Sequence, residues 1–172
     1  IAKRIGPVEA LPPTDPNAQL AAFMVPAMAE GTHAMVQQDL AESGVEDMTA
    51  EYGEKLIQRE HCAYLRPMVV HSESPDTAVA SREYMFPFVS VVECPQDQML
   101  AKIGPTLVCS AITRDPGFVG DLTHAVDIDR LNIGAIPTTK LNWLQPHEGN
   151  IIDFLFRSRA YQLSDDLLES IA

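Results

Sequence analysis

Short apolar runs, each bounded by proline, glycine or serine, dominate the chain beyond residue 60. Residues 61–71 and 86–93 are rich in β-branched and aromatic side chains, which predicts a strand in each. Residues 106–113 form a nearly continuous apolar run of strand length, a pattern typical of a strand covered on both faces. Residues 131–136 predict a further short, buried strand.

Signals that begin helices lie between these predicted strands. Cys94-Pro95 precedes a short helical stretch that Gly104-Pro105 ends, and Pro116 stands at the first position of another helix. The second helix is expected to turn four apolar residues inward, namely Phe118, Val119, Leu122 and Val126. Residues 150–159 are amphipathic and predict one more helix. Because strands and helices alternate, we expect an α/β fold of three layers, with helices on both faces of a mostly parallel sheet.

The beginning of the chain has a different pattern. The proline-rich residues 7–16 predict an extended connector, and residues 18–24 are good helix formers. Pro26 begins a second predicted helix, which Ser43-Gly44 ends. Residues 46–60 are polar and acidic, and this composition predicts a solvated connection.

Length and charge limit the classes of function. The 172 residues allow one domain, in which we assign residues 1–60 to a mainly helical N-terminal segment and residues 61–172 to an α/β segment. A formal charge of −12 repels phosphate backbones and anionic lipids, so we expect neither nucleic acid nor membrane as a partner. No apolar run reaches the ~18 residues that span a bilayer. The sequence opens on Ile1, and we expect its numbering to start inside a longer reading frame.

Cysteine and histidine usage argues against metal and disulfide chemistry. Cys62, Cys94 and Cys109 are widely spaced and form no CxxC pair. Free thiols together with the lack of an export signal predict a cytoplasmic protein. The five histidines are dispersed, so we expect no metal site. The sequence also lacks the dinucleotide-binding, P-loop, nucleophile-elbow and zinc-protease motifs.

Polar side chains concentrate in two places. In residues 81–88, the Glu83 carboxylate stands just before an apolar strand, where it could accept hydrogen bonds from a pair of ligand hydroxyls. Met85 and Phe86 could then pack against an aromatic ring of the same ligand. The alternative is a plain surface Arg82/Glu83 pair at a strand entrance. Residues 145–150 combine a turn, an imidazole and a helix start, or are simply a loop whose asparagine caps the last helix.

Five tracts that include these two places resemble, in order and spacing, motifs of the aldehyde dehydrogenase superfamily. The resemblance covers roughly residues 61 to 160. The tracts are Tyr64-Leu65-Arg66-Pro67-Met68-Val69-Val70, Arg82-Glu83-Tyr84-Met85-Phe86-Pro87-Phe88, Leu107-Val108-Cys109-Ser110-Ala111-Ile112-Thr113-Arg114-Asp115, Asn132-Ile133-Gly134 and Pro146-His147-Glu148-Gly149.

The resemblance implies an NAD- or NADP-dependent oxidation of a small-molecule aldehyde through a cysteine thiohemiacetal. Glu83 aligns with the glutamate that hydrogen-bonds the nicotinamide ribose. Met85 stands where the family usually has a phenylalanine beside the nicotinamide ring, and Phe86 stands where it usually has glycine. Substrate contacts fall on Trp143, Pro146 and His147.

The resemblance also implies that parts of the active centre lie elsewhere. The family's catalytic cysteine, general base and dinucleotide-binding domain are upstream of the glutamate motif, so we assign no catalytic residue to this chain and expect it to be inactive alone. The expected partners are the remainder of the same polypeptide or sister subunits in a homo-oligomer. Two alternatives stay open: a non-catalytic assembly module derived from this scaffold, and a related acyl-phosphate reductase.

Overall fold

The computed structural model describes residues 1–137, 139, 140 and 155, and the chain forms two compact units, Ile1–Met99 and Leu100–Ala172. Strands and helices alternate from residue 68 to residue 133, and the mixture of helices and sheets confirms the predicted α/β class. In chain order the elements are α1 (Ala2–Ile5), α2 (Pro26–Leu40), β1 (Val45–Asp47), a 3₁₀ helix (Ala50–Tyr52), β2 (Leu56–Gln58), β3 (Ala63–Leu65), β4 (Met68–Ser72), α3 (Ala78–Ser81), β5 (Phe88–Val92), α4 (Gln96–Ile103), β6 (Thr106–Ala111), α5 (Pro116–His124) and β7 (Ile128–Ile133).

The first unit contains two small sheets. In the three-stranded sheet β4 is central, parallel to β5 and antiparallel to β1. Strands β2 and β3 form a separate antiparallel pair in which Leu56 lies opposite Leu65. Every residue of β3 is buried, and the single strand predicted over residues 61–71 is instead two strands, β3 and β4, that belong to different sheets.

Helix α2 supplies one wall of the apolar core of this unit. Pro26 occupies its first turn, and Gly44 follows its end with a positive φ of 76°. Val36 packs with Met68 and Val70 of β4, while Ala29 belongs to a second cluster with β3. The prediction of this helix is confirmed.

Two predictions for the first 60 residues are wrong. Residues 18–24 form no helix, because the backbones of Phe23 and Ala63 form two hydrogen bonds with each other, with N to O distances of 2.8 and 3.0 Å. Residues 46–60 are not a solvated connection, since they contain β2 and the 3₁₀ helix and bury Thr49 and Lys55. In both cases long-range packing overrides the local composition.

In the described part of the second unit, a parallel β6–β7 pair is joined by α5. Pro116 begins α5 as predicted, and Asp115 caps the helix, since its Oδ1 accepts a hydrogen bond from the backbone N–H of Gly117 at 2.9 Å. Leu122 is buried, but Val126 is 85% exposed because α5 ends at His124, so the inward placement of Val126 is wrong.

Strand β6 differs from its prediction as well. It is not covered on both faces by the part of the chain that the structure describes, since Leu107 is exposed. Strand β7 begins at Ile128, earlier than predicted. The predicted helix over 150–159 lies outside the described residues, except that Leu155 is helical. None of the described helices combines the length and the apolar character needed to cross a membrane.

Candidate functional site

The segment that connects α3 to β5 carries the glutamate predicted to bind a cofactor. Its backbone is extended at Arg82, with φ −84° and ψ 133°, and bends at residues 85–87 before β5 begins. Tyr84 is buried, whereas Glu83 and Met85 are exposed. Glu83 accordingly projects outward between two residues, Arg82 and Tyr84, that both contact α2.

Asp39 of α2 holds this segment from the inside. Its carboxylate is 4% exposed and accepts hydrogen bonds from Arg82 Nη1 at 3.0 Å to Oδ1 and 2.7 Å to Oδ2. The hydroxyl of Tyr84 donates to the same Oδ2. A buried carboxylate is stable only when charge and hydrogen bonds compensate it, and these contacts provide both. We call these three residues the Asp39 anchor.

The environment of Tyr84 keeps its hydroxyl protonated. Burial raises the pKa of Tyr84 most, and the hydrogen bond to Asp39 and the negative charge of Asp39 raise it further. The phenol therefore remains a hydrogen-bond donor at neutral pH, and the contact on one side of Glu83 persists.

Aromatic packing holds the segment between α3 and β5 at the end that joins β5. The ring centroids of Tyr84 and Phe88 are 4.4 Å apart, and those of Phe86 and Phe88 are 5.7 Å apart in an edge-on arrangement. Phe86 packs against both core clusters, and Met85 is 79% exposed. The structure thus separates the two residues expected to wall one ring: Met85 faces outward beside Glu83, and Phe86 packs inward.

The residues predicted to contact the substrate cannot be placed. Trp143, Pro146 and His147 lie outside the described residues, as does the whole turn 145–150. Among the residues that the structure does describe, no group of three or more histidine, cysteine or acidic side chains is arranged to hold a metal ion. The three cysteines are free and half-buried, and burial raises the pKa of the Cys109 thiol, which disfavours the nucleophilic thiolate.

Two buried charged residues were missed by the sequence analysis. Asp39 lies three positions after the buried Val36, and an acidic residue on the apolar face of a predicted helix was a usable signal. Lys55 is 7% exposed and lies within a polar stretch that gave no such signal. Its Nζ donates to the carbonyl oxygen of Thr49 at 2.5 Å and lies 3.7 Å from Oδ2 of Asp47.

Several solved structures contain a region whose fold is similar to that of this chain. A Burkholderia cenocepacia protein assigned as an aldehyde dehydrogenase matches with a TM-score of 0.59 at 20% identity, over 82% of this chain and 29% of its own. The NAD-dependent aldehyde dehydrogenase of Sinorhizobium meliloti matches with a TM-score of 0.51 at 23% identity, over 72% and 25%. A 3,6-anhydro-L-galactose dehydrogenase in complex with NAP matches with a TM-score of 0.57 at 12% identity, over 78% and 29%.

These matches establish a partial aldehyde dehydrogenase-like fold. The chain spans less than a third of the length of each of the three proteins. No protein-family model matches the sequence, and no curated protein sequence matches it either. The likeness therefore rests on structure, and it agrees with the resemblance carried by the five sequence tracts.

Proposed function

We propose that this aldehyde dehydrogenase-like chain is the C-terminal segment of an NAD- or NADP-dependent enzyme that oxidises a small aldehyde. The observation that carries the proposal is the presentation of Glu83: Arg82 and Tyr84 are tied to Asp39, and the carboxylate between them is exposed. Sequence upstream of Ile1 supplies the reacting cysteine and the dinucleotide-binding domain in this proposal.

The exposed carboxylate of Glu83 has the chemistry that a ribose requires. A carboxylate presents two acceptor oxygens, which suit the two hydroxyl donors of a ribose diol. Within the described residues Glu83 has no hydrogen-bond partner, so binding a ribose would break no existing contact. The nicotinamide, when bound, supplies the acceptor for the hydride that leaves the substrate.

Glu83 acts by orientation in this proposal. Because the Asp39 anchor restrains both neighbours of Glu83, the backbone that carries the carboxylate is already ordered before a ligand binds. Holding the cofactor in one orientation lowers the barrier through proximity. Met85, which is also exposed, is proposed to contact the cofactor, and Phe86 supports the site from within the core.

The proposal also includes the substrate contacts, the protein partners and the compartment. Trp143, Pro146 and His147 remain the proposed aldehyde contacts. Exposed apolar side chains such as Val91 on β5 and Leu107 on β6 support burial against the rest of the polypeptide or against sister subunits of a homo-oligomer. The free cysteines support a reducing compartment, the cytoplasm.

The test is a kinetic comparison in the protein expressed from its complete open reading frame. Glu83→Gln should raise the KM for NAD or NADP about tenfold, because it exchanges a charge-assisted hydrogen bond for a neutral one and so loses roughly 1–1.5 kcal/mol. The matched control is Glu46→Gln, which changes an exposed glutamate of β1 and should leave the KM unchanged. An unaltered KM in Glu83→Gln would show that Glu83 does not hold the cofactor.

The same protein separates the two alternative functions. A non-catalytic assembly module would show no aldehyde oxidation in any variant. An acyl-phosphate reductase would reduce an acyl phosphate with NADH or NADPH faster than it oxidises the corresponding aldehyde with NAD or NADP.

A further inference from the structure

The first unit contains an open groove separate from the segment that carries Glu83. Its volume is about 480 Å³, large enough for a small organic molecule. We call it the Lys55 groove. Its lining residues come from α2 and from the region between β1 and β2, and they are His33, Gln37, Asp47, Ala50, Gly53, Glu54, Lys55 and Leu56.

Lys55 is the nucleophilic group of this groove and differs from the other lysines of the chain. The side chain of Lys55 is 8% exposed, whereas Lys3, Lys102 and Lys140 are all exposed. Its Nζ has two acceptors, the Thr49 carbonyl at 2.5 Å and the more distant Asp47 carboxylate at 3.7 Å. A neutral amine carries two N–H donors, so it can keep both contacts and still have a lone pair for a reaction.

The charges around Lys55 only partly compensate an ammonium. Burial lowers the pKa of Lys55 most; the charge of Asp47 opposes this effect, and the charge of Arg66 adds to it. His33 of α2 and Glu54 also line the groove. A desolvated lysine of this kind is the type of residue that forms Schiff bases with carbonyl substrates.

We propose that the Lys55 groove binds a small aldehyde and that Nζ of Lys55 forms an imine with it. The choice of an aldehyde as ligand rests on the proposed function, while the site rests on the groove and on the position of Lys55. The site is distinct from the Glu83 segment and makes this protein a carrier of its substrate class.

The reaction needs no oxidant or reductant. The Nζ lone pair attacks the carbonyl carbon and forms a C–N bond, while the carbonyl oxygen takes up a proton. The nitrogen then loses its remaining protons, the hydroxyl leaves as water, and a C=N bond remains. The Asp47 carboxylate, 3.7 Å from Nζ, is the nearest described group that can accept a proton from the nitrogen.

Reductive trapping tests the proposal without the cofactor. The protein from the complete open reading frame is incubated at about pH 7 with propanal and sodium cyanoborohydride, which reduces an imine to a stable propyl-lysine, and the sites are mapped by peptide mass spectrometry. Lys55 should be modified severalfold faster than Lys3, Lys102 or Lys140, because its lowered pKa leaves a larger fraction of free amine at this pH.

A denatured sample provides the matched control, because in urea all four lysines should react at similar rates. In Lys55→Arg, which keeps the charge but removes the primary amine, the fast modification should disappear while the slow ones persist. Equal or slower modification of Lys55 than of the exposed lysines in the folded protein would overturn the proposal. Because trapping needs neither Glu83 nor a nicotinamide, failure here and failure of the proposed dehydrogenase function are distinguishable.

Discussion

Two buried charged side chains in the same unit, Asp39 and Lys55, are compensated to very different degrees. Asp39 receives two hydrogen bonds from an arginine and one from Tyr84, whereas Lys55 has one neutral carbonyl and a carboxylate 3.7 Å away. Full compensation makes Asp39 a rigid support that presents the neighbouring Glu83. Partial compensation lowers the pKa of Lys55 and leaves it reactive. Burial alone therefore does not distinguish a structural charge from a functional one, whereas the set of partners does.

The largest expected effect follows from removing the fully compensated charge. Asp39→Ala leaves the Tyr84 hydroxyl buried without its acceptor and removes the partner of Arg82. The free energy of unfolding should fall by about 3 kcal/mol, toward the lower end for a broken buried pair because the Arg82 side chain is 42% exposed. Urea unfolding followed by circular dichroism measures it.

The matched control for this change is Glu46→Ala, which removes an exposed carboxylate of the same unit. It should alter the free energy of unfolding by less than about 0.5 kcal/mol. Equal losses in the two variants would mean that Asp39 is not an anchor.

An intermediate effect should appear in the pH dependence of stability. The folded state lowers the pKa of Lys55, so it binds fewer protons there than the unfolded state, and stability should rise with pH in the window below the ordinary lysine value of 10.5. The folded state raises the pKa of Tyr84, so its contribution is complete below the ordinary tyrosine value of 10.0 and is lost as the pH climbs above it.

Two variants separate these opposite trends. Urea unfolding across the alkaline range should show that Lys55→Met removes the rise. Tyr84→Phe should reduce the loss above pH 10.0, to which Tyr52 and Tyr64 also contribute because burial raises their pKa values. If the wild-type curve and the Lys55→Met curve stay parallel below pH 10.5, the pKa of Lys55 is not lowered by folding.

The smallest expected effect on stability follows from changing Glu83, which lies between two residues of the Asp39 anchor. Glu83 is exposed and has no hydrogen-bond partner within the described residues. Glu83→Gln should therefore change the free energy of unfolding by less than about 0.5 kcal/mol. A loss comparable to that of Asp39→Ala would mean that Glu83 is itself a structural residue.

Sequence reasoning identified the elements whose signals are local. Pro26 and the Asp115-Pro116 pair mark the starts of α2 and α5, since proline fits the first turn of a helix. It failed at residues 18–24, because the pairing of Phe23 with Ala63 depends on a residue 40 positions away. No window of local sequence contains that partner.

The candidate site was also predictable only where its signals are local. Glu83 stands in a motif and was found from it, but the contacts that hold its segment were not. Asp39 lies 43 positions before Arg82, and only folding brings them together. Lys55 was concealed for another reason: a lysine in an acidic stretch normally remains solvated, and its burial follows from the pairing of β2 with β3.

The most direct test of whether Glu83 binds the cofactor is an equilibrium binding measurement. NADH or NADPH is titrated with the protein expressed from its complete open reading frame, and binding is followed by the fluorescence of the cofactor. The dissociation constant of the preferred cofactor should rise about tenfold in Glu83→Gln and stay at the wild-type value in Glu46→Gln. Equal dissociation constants in all three proteins would contradict the assignment of Glu83 to the cofactor.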